Sequence, residues 1–254
     1  MTAMAGATVN LRKWRGPVLL ILALFALWQL LFLVAGEIAL RSPLDTIQYS
    51  LSLFSRPAFW PHFEESMKAF AAAVAIAVVV GLAIGLLLGF HRLSGDVMEP
   101  MLVAVYSIPK VTLYPLLLLA FGLGISAKIA FGAIHGIIPI ALFTINAVRN
   151  VRPVLIKTGR VMKLTPMEMV WRVLIPAALP EIFTGIRLGF ALTLIGTLLG
   201  EMFASQRGLG YMLMNAIGLH NVDIIMAVTF LLIVFAAVVS SILLHIDHRL
   251  HRRF

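Results

Sequence analysis

The chain has 254 residues, of which 61% are hydrophobic and only 12% are charged, and its mean hydropathy is +1.02. One soluble core of this size cannot bury so much apolar surface, so the composition excludes an ordinary soluble protein and indicates a membrane protein. The formal charge of +9 does not indicate nucleic-acid binding, because the cations are scattered among apolar runs, and the lack of cysteine excludes disulfides and thiolate metal sites.

Long apolar runs predict the membrane spans, because about 20 apolar residues cross the roughly 30 Å hydrocarbon core. Four runs are uninterrupted and two contain charged residues. The four are Gly16 to Gly36, Ala69 to Phe90, Ile129 to Val148 and Ile224 to Ile246, and the two are Met101 to Phe121 and Pro180 to Phe203. We therefore predict an all-α fold, a polytopic membrane helix bundle with six transmembrane helices.

Lys and Arg outside the spans predict the orientation. With both termini in the cytoplasm, the inner segments hold thirteen of these cations and the outer segments hold three. The predicted order is a cytoplasmic N-terminal tail (1–16), the first span with its outer loop (17–63), a five-helix core (64–246) and a cytoplasmic basic tail (247–254) expected to anchor on lipid. The first span is longer than the apolar part of a secretory signal, which favours an uncleaved anchor.

The second span carries glycine at every fourth residue, at Gly81, Gly85 and Gly89. Small residues at this spacing line one helix face and let another helix backbone approach closely. This stripe predicts tight packing and carries no chemistry.

The third span contains Pro109, Lys110 and Pro115. Each proline removes a backbone donor, so a broken helix at membrane depth must face protein or a water-filled cavity. Lys110 is therefore a candidate for the translocation pathway, although a lysine near the inner surface could equally reach the headgroups. Glu201 and Lys128 could likewise lie on the pathway or at the membrane surface. Both are near span ends, which favours the membrane surface.

The segment from Val148 to Pro180 is too basic to cross a bilayer and too periodic for a slack linker. Pro153 to Met162 predicts one helix. Thr165 as N-cap, Pro166 at the first helical position and Glu168 three residues after Thr165 predict a second helix that opens with a capping box.

The second short helix is expected to stop before Pro176. It carries an apolar stripe consisting of Met167, Val170, Trp171 and Leu174. Such a stripe on a cytoplasmic helix must bury against lipid or against a partner protein, and the residues alone leave both open.

Several motifs, taken in their order along the chain, resemble those of a known protein family. They are Gly81-Leu82-Ala83-Ile84-Gly85; Ile108-Pro109-Lys110 with Pro115-Leu116; Phe121-Gly122-Leu123-Gly124 with Lys128-Ile129; Pro176-Ala177-Ala178-Leu179-Pro180 with Thr184-Gly185-Ile186-Arg187; and Glu201-Met202 with Gly208-Leu209-Gly210-Tyr211. From about Ser66 to Ile246 the chain resembles the permease subunits of bacterial ATP-binding-cassette importers, in the group that handles nitrate, taurine and alkanesulfonates.

In that family the cytoplasmic loop carries a Glu-Ala-Ala signature with a glycine four residues after the second Ala and a proline thirteen residues further. Counting back from Pro176 puts the signature glycine at Lys163 and the Glu-Ala-Ala positions at Lys157, Thr158 and Gly159. The chain departs from the signature at all four positions, while the two-helix pattern and the proline remain. The resemblance thus makes residues 149–179 a coupling loop with coupling helices.

The resemblance also implies partners and roles. The expected complex lies in a bacterial inner membrane and contains a second permease copy, two cytoplasmic ATP-binding subunits and a periplasmic or lipid-anchored solute-binding protein. Residues expected to couple to the ATPase are Lys157, Arg160, Lys163, Leu164, Thr165, Pro166, Met167, Glu168 and Trp171. Residues expected on the translocation pathway are Pro109, Lys110, Thr112, Tyr114 and Glu201.

The chain is not expected to be an enzyme or to bind a cofactor or metal itself. No lysine follows a glycine, so no phosphate-binding Gly-Lys-Ser/Thr motif occurs, and ATP with Mg is expected in the partner subunit. An ATP-independent secondary transporter or a channel remains the alternative, since six spans and a buried lysine suit either. Lys110 suits an anionic solute such as a sulfonate, taurine or nitrate, but the residues do not identify it.

Overall fold

The computed structural model describes the backbone of residues 2–203 and 205–251 and the side chains from residue 16 onward. Residues 252–254 of the predicted basic tail lie outside the described residues. The described residues form helices and no strands, which confirms the all-α fold. The α-helices are α1 (Thr2–Ala35), α2 (Pro43–Leu53), α3 (Trp60–Phe90), α4 (Arg92–Ser107), α5 (Tyr114–Phe121), α6 (Ile125–Arg149), α7 (Pro153–Val161), α8 (Pro166–Met169), α9 (Ile175–Phe203), α10 (Leu209–Gly218) and α11 (Val222–His251).

Five segments of the described chain are long and apolar enough to cross a membrane. A sixth span exists if α4 and the segment Lys110–Phe121 count together, since they meet at 86°. The segment of the predicted third span therefore forms a bent pair of helices, with a 3-10 turn at Lys110–Leu113 between them, and the sixth span stays a prediction. The bend falls between Pro109 and Pro115, where two backbone donors are missing.

The chain divides into two compact units, one of residues 1–57 and 215–232 and the other of residues 58–214 and 233–254. In the first unit, the predicted outer loop contains α2, capped by the Ser42 hydroxyl. Arg41 pairs with Asp223 through Nε and Oδ1 at 2.6 Å, and the Arg41 carbonyl accepts from Trp28 Nε1 at 3.1 Å.

The second unit is built around α3, α6 and α9, and the predicted glycine stripe forms the α3–α6 seam. A Cβ on each of these glycines would collide with a side chain of α6. Gly81, Gly85 and Gly89 face, in order, Ile140, Thr144 and Val148. The residue numbers rise together, so α3 and α6 run parallel, and the predicted packing role is confirmed.

Helix α9 packs antiparallel to α6 through a second set of small residues. Gly132 lies against Thr197 and Gly136 lies against Thr193, so the numbers fall on one helix as they rise on the other. The rings of Phe70 on α3 and Phe190 on α9 meet edge to face at 4.9 Å. Three closely packed helices therefore form the core that carries the sites described below.

The expectation that the second loop helix stops before Pro176 is wrong. After α8 the chain makes a π-helical turn at Val170–Leu174 and continues directly into α9. Pro176 is the second residue of α9 and comes directly after the π-helical turn, where the regular α-helical hydrogen bonding is already interrupted, so its missing N–H does not end the helix. The coupling loop is thus continuous with a core helix.

Candidate functional site

The first half of the coupling loop ends in a tight turn at Lys163. Its φ of +53° is left-handed, a conformation that glycine adopts far more readily than lysine. The Lys163 N–H donates to the Arg160 carbonyl at 3.0 Å and the Leu164 N–H donates to the Gly159 carbonyl at 3.1 Å, which together form a Schellman motif. Lys163 stands where the resemblance places the signature glycine, and its backbone has a conformation that suits glycine.

Gly159, at the second Ala position of the signature, is also explained by its surroundings. It is buried, and a Cβ there would lie 2.6 Å from Cε and 2.8 Å from Sδ of Met169. The missing methyl group leaves the room that the Met169 side chain occupies.

The predicted capping box at the start of α8 is confirmed. The Glu168 N–H donates to Thr165 Oγ1 at 3.3 Å, and the Thr165 N–H donates to Glu168 Oε2 at 3.0 Å. Pro166 holds the first helical position. Each side chain thus satisfies a backbone donor that the helix itself leaves unpaired.

Most of the predicted coupling residues are exposed. Met167 and Trp171 are 67% and 64% exposed although both are large and apolar. The other exposed members are Lys157, Arg160, Lys163, Thr165 and Pro166, and the half-buried members are Leu164 and Glu168. The loop therefore exposes cations on α7 and in the turn after it, and large apolar side chains on α8 and in the π-helical turn, which suits docking to another macromolecule.

A cavity of about 630 Å³ lies behind this surface. Its walls come from α6, α7, the π-helical turn, α9 and the C-terminal end of α11. The polar lining residues are Asn150, Arg152, Thr158, Arg172, Glu181 and His251.

Arg149 ties α6 to α4 beside the coupling loop. Its guanidinium lies 3.0 Å from Asp96 Oδ1 and 3.0 Å from Glu99 Oε2, and it donates to the Arg92 carbonyl at 2.9 Å. The Asp96 side chain is 58% exposed and the Arg149 side chain is 20% exposed. We call this end of the α3–α6–α9 core, with the loop, the coupling end.

The predicted pathway residues of the bent segment do not form one cluster. Lys110 Nζ donates to the Tyr106 carbonyl at 3.0 Å and lies 4.5 Å from the centre of the Tyr106 ring. Thr112 donates to the Pro109 carbonyl at 2.7 Å, and both residues are exposed. Tyr114 is buried and donates to the Gly200 carbonyl on α9. Pro109 and Thr112 therefore lie at the surface, Lys110 is half-buried, and Tyr114 attaches the segment to the core.

The surface position favoured for Glu201 and Lys128 is wrong, because both are enclosed by protein. Glu201 is 0% exposed and Lys128 is 2% exposed. The Glu201 carboxylate accepts from Ser66 Oγ at 2.8 Å, and Lys128 Nζ lies 3.1 Å from Glu65 Oε1. Both charges are near helix ends, as expected, but other helix ends cover them.

Sequence reasoning missed the partners in this cluster, Ser66 and Glu65, because they lie far from Glu201 and Lys128 along the chain. The cluster joins the N-terminal ends of α3 and α6 to the C-terminal end of α9. We call this the far end of the core. Lys128 and Arg149 are 21 positions apart on α6, which corresponds to about 30 Å of helix, so the two ends are separated by roughly the thickness of a bilayer's hydrocarbon core.

Comparison with known proteins gives consistent results. The profile of the family described as "Binding-protein-dependent transport system inner membrane component" matches residues 77–253. A "Probable ABC transporter permease protein" of Haemophilus influenzae is 27% identical over 93% of this chain and 95% of its own length. A nitrate import permease protein of Leptolyngbya laminosa is 27% identical over 90% and 84% of the two chains.

A taurine transport system permease protein of Escherichia coli is 25% identical over 68% of this chain and 63% of its own length. Among solved structures, a chain of the methionine ABC transporter in an inward-facing conformation superposes with a TM-score of 0.66 at 21% identity. That match covers 77% of this chain and 98% of the other, and it shows a shared fold.

Proposed function

The chain belongs to the family of binding-protein-dependent transport system inner membrane components, and we propose that its solute is a small anion such as a sulfonate, taurine or nitrate. It is a membrane-spanning permease subunit of an ATP-binding-cassette importer. The similarity to permeases for nitrate and for taurine supports a solute that carries an anionic group, since taurine is a zwitterion with a sulfonate group.

The proposed complex contains two copies of this chain, two cytoplasmic ATPase subunits and a solute-binding protein. ATP and Mg bind in the ATPase subunits, and this chain performs no hydrolysis itself. Both termini lie in the cytoplasm of a bacterial cell, and the coupling loop lies beneath the inner membrane.

The exposed stripe at Met167 and Trp171 is the observation that carries the coupling role. Burying two large apolar side chains against a protein groove stabilises an interface by roughly 25 cal/mol for each Å² removed from water. The helix that bears them is continuous with α9, so a displacement of the docked helix is delivered to the core. The cations at Lys157, Arg160 and Lys163 would face acidic groups of the ATPase.

The proposed solute pathway runs beside the bent segment, where Pro109 and Thr112 are exposed and Lys110 is half-buried. Lys110 supplies a positive charge, and the hydroxyl of Thr112 supplies a hydrogen-bonding group. Tyr114 holds the segment against α9. Glu201 stays a predicted pathway residue, but its complete burial gives it no direct contact with solute in this conformation.

Co-purification and transport test this proposal together. The tagged chain is expressed with its candidate ATPase and binding protein, and uptake of radiolabelled taurine and nitrate is measured in proteoliposomes. We expect the ATPase to co-purify and uptake of at least one anion to require ATP on the ATPase side. Uptake that proceeds at the same rate without the ATPase would identify a secondary transporter or channel and refute the proposal.

Substitution at the stripe tests the coupling surface. Trp171→Asp is expected to abolish co-purification of the ATPase, because it places a charge in the apolar interface. Leu219→Asp is the matched control, since Leu219 is 70% exposed but lies outside the loop. Equal ATPase recovery with both variants would contradict docking at the stripe.

A further inference from the structure

The turn at residues 207–210, which precedes and opens α10, is bound by side chains at four successive backbone positions. Each position uses one backbone group and one side chain from α3, α6 or α9. The bonds are Lys128 Nζ to the Arg207 carbonyl (2.7 Å), the Gly208 N–H to His62 Nδ1 (3.2 Å), the Leu209 N–H to Ser66 Oγ (2.7 Å) and the Gly210 N–H to Glu201 Oε2 (2.9 Å).

The side chains that hold the turn also bind one another. Ser66 Oγ donates to the Glu201 carboxylate while it accepts from Leu209, and Lys128 Nζ pairs with Glu65 while it donates to Arg207. A buried polar network whose groups are mutually bonded is rigid, because each broken bond leaves a polar or charged group without water.

The glycines of the turn are required by the same arrangement. Gly208 has a φ of +121°, and a Cβ there would collide with the Glu201 carboxylate. A Cβ on Gly210 would lie 2.8 Å from Cβ of Glu201. Two glycines thus allow the backbone to close around a buried carboxylate.

We propose that residues 207–210 form a latch that fixes the far ends of α3, α6 and α9 relative to one another throughout the transport cycle. The inference rests on the proposed function of ATP-driven import. Since each of the three helices contributes a bond, a displacement of any one of them along its axis breaks the network. The core and the start of α10 therefore move as one body, and conformational change takes place elsewhere.

Cross-linking of the turn to the core gives a direct test. The rings of His62 and Tyr211 stack with centroids 5.7 Å apart, and the chain has no cysteine of its own. The double variant His62→Cys/Tyr211→Cys is treated with a short bifunctional methanethiosulfonate in the assembled complex, and ATP-dependent uptake is measured before and after.

We expect the cross-linked complex to import solute at least as fast as its reduced form, because the cross-link replaces the bond to Gly208 that His62→Cys removes. Loss of uptake on cross-linking, reversed by reductant and absent in each single-cysteine variant, would overturn the latch. Wild-type uptake in the same vesicles tests import separately, so failure of the proposed function and failure of the latch are distinguishable.

A second measurement distinguishes positioning from mere stability. Ser66→Ala and Glu201→Gln loosen the latch, and Glu64→Gln is the matched control on the same turn of α3, where Glu64 pairs with Lys68 on the surface. We expect solute imported per ATP hydrolysed to fall in the two latch variants and to stay at the wild-type value in the control. A lower melting temperature with an unchanged ratio of import to hydrolysis would refute the positioning role.

Discussion

The two ends of the α3–α6–α9 core are held by opposite means. At the far end, Glu201 and Lys128 are buried and bound only by the protein. At the coupling end, Arg149 pairs with carboxylates of which one is more than half exposed, and the capping box at Thr165 lies in the open. Water can replace the bonds of the second set at low cost, whereas the protein shields the charged groups of Glu201 and Lys128 from it. The core is therefore more rigid at the far end than at the coupling end, which we propose to meet the ATPase.

The largest expected effect is at the far end. Glu201→Ala leaves the Gly210 N–H and the Ser66 hydroxyl without their buried acceptor, so we expect on the order of 3 kcal/mol of destabilisation. Thermal unfolding of the detergent-solubilised protein measures it, with Glu64→Ala as the exposed control. Equal melting temperatures for the two variants would break the comparison.

The corresponding change at the coupling end is expected to be smaller and dependent on salt. Arg149→Gln removes partly exposed ion pairs, which should lower the free energy of unfolding by about 1 kcal/mol at low ionic strength. Raising the salt to about 1 M shortens the Debye length to about 3 Å and should reduce the destabilisation caused by Arg149→Gln. The destabilisation caused by Glu201→Ala should stay constant. Melting temperatures at two salt concentrations check this, and a salt-sensitive Glu201 effect would contradict the burial argument.

A local effect is expected at the capping box. Thr165→Ala removes the N-cap of α8, at a cost of about 1 kcal/mol to the short helix. Because the core does not depend on this helix, the melting temperature should hardly change, whereas recovery of the ATPase by co-purification should fall. Thr165→Ser, which keeps the hydroxyl, should restore recovery.

The smallest expected effect has the opposite sign. Lys163→Gly relieves a left-handed lysine and should stabilise the loop by about 0.5 kcal/mol after allowance for the flexibility of glycine. Lys157→Gly, in the middle of α7, should instead destabilise it by about 1 kcal/mol. Protection of loop amides in hydrogen exchange separates the two variants, and weaker protection in Lys163→Gly would contradict the strain argument.

Features that depend on neighbours along the chain could be predicted from sequence. The capping box at Thr165 and Glu168 needs only three-residue spacing, and the stripe at Gly81, Gly85 and Gly89 needs only helical periodicity. The partner helix of that stripe was not predictable, because nothing local identifies α6.

Features that depend on tertiary contacts were missed or misjudged. Glu201 and Lys128 lie near span ends, where a membrane surface is the usual surrounding, and only the folded chain shows that other helix ends enclose them. Pro176 is a strong helix breaker by itself, but directly after the π-helical turn it does not end the helix. The sequence does not decide whether Lys110 faces the translocation pathway or the lipid headgroups. In the structure Lys110 contacts Tyr106, which decides neither, so its role in transport stays a proposal.

The π-helical turn between α8 and α9 has a consequence for sequence variation. A π turn holds one residue more than an α turn, so it takes up an extra residue locally while the helix continues in the same direction on both sides. Loss of a single residue at Val170–Leu174 would therefore convert the turn into an ordinary α-helical turn and leave both the direction of Met167 and the packing of α9 unchanged.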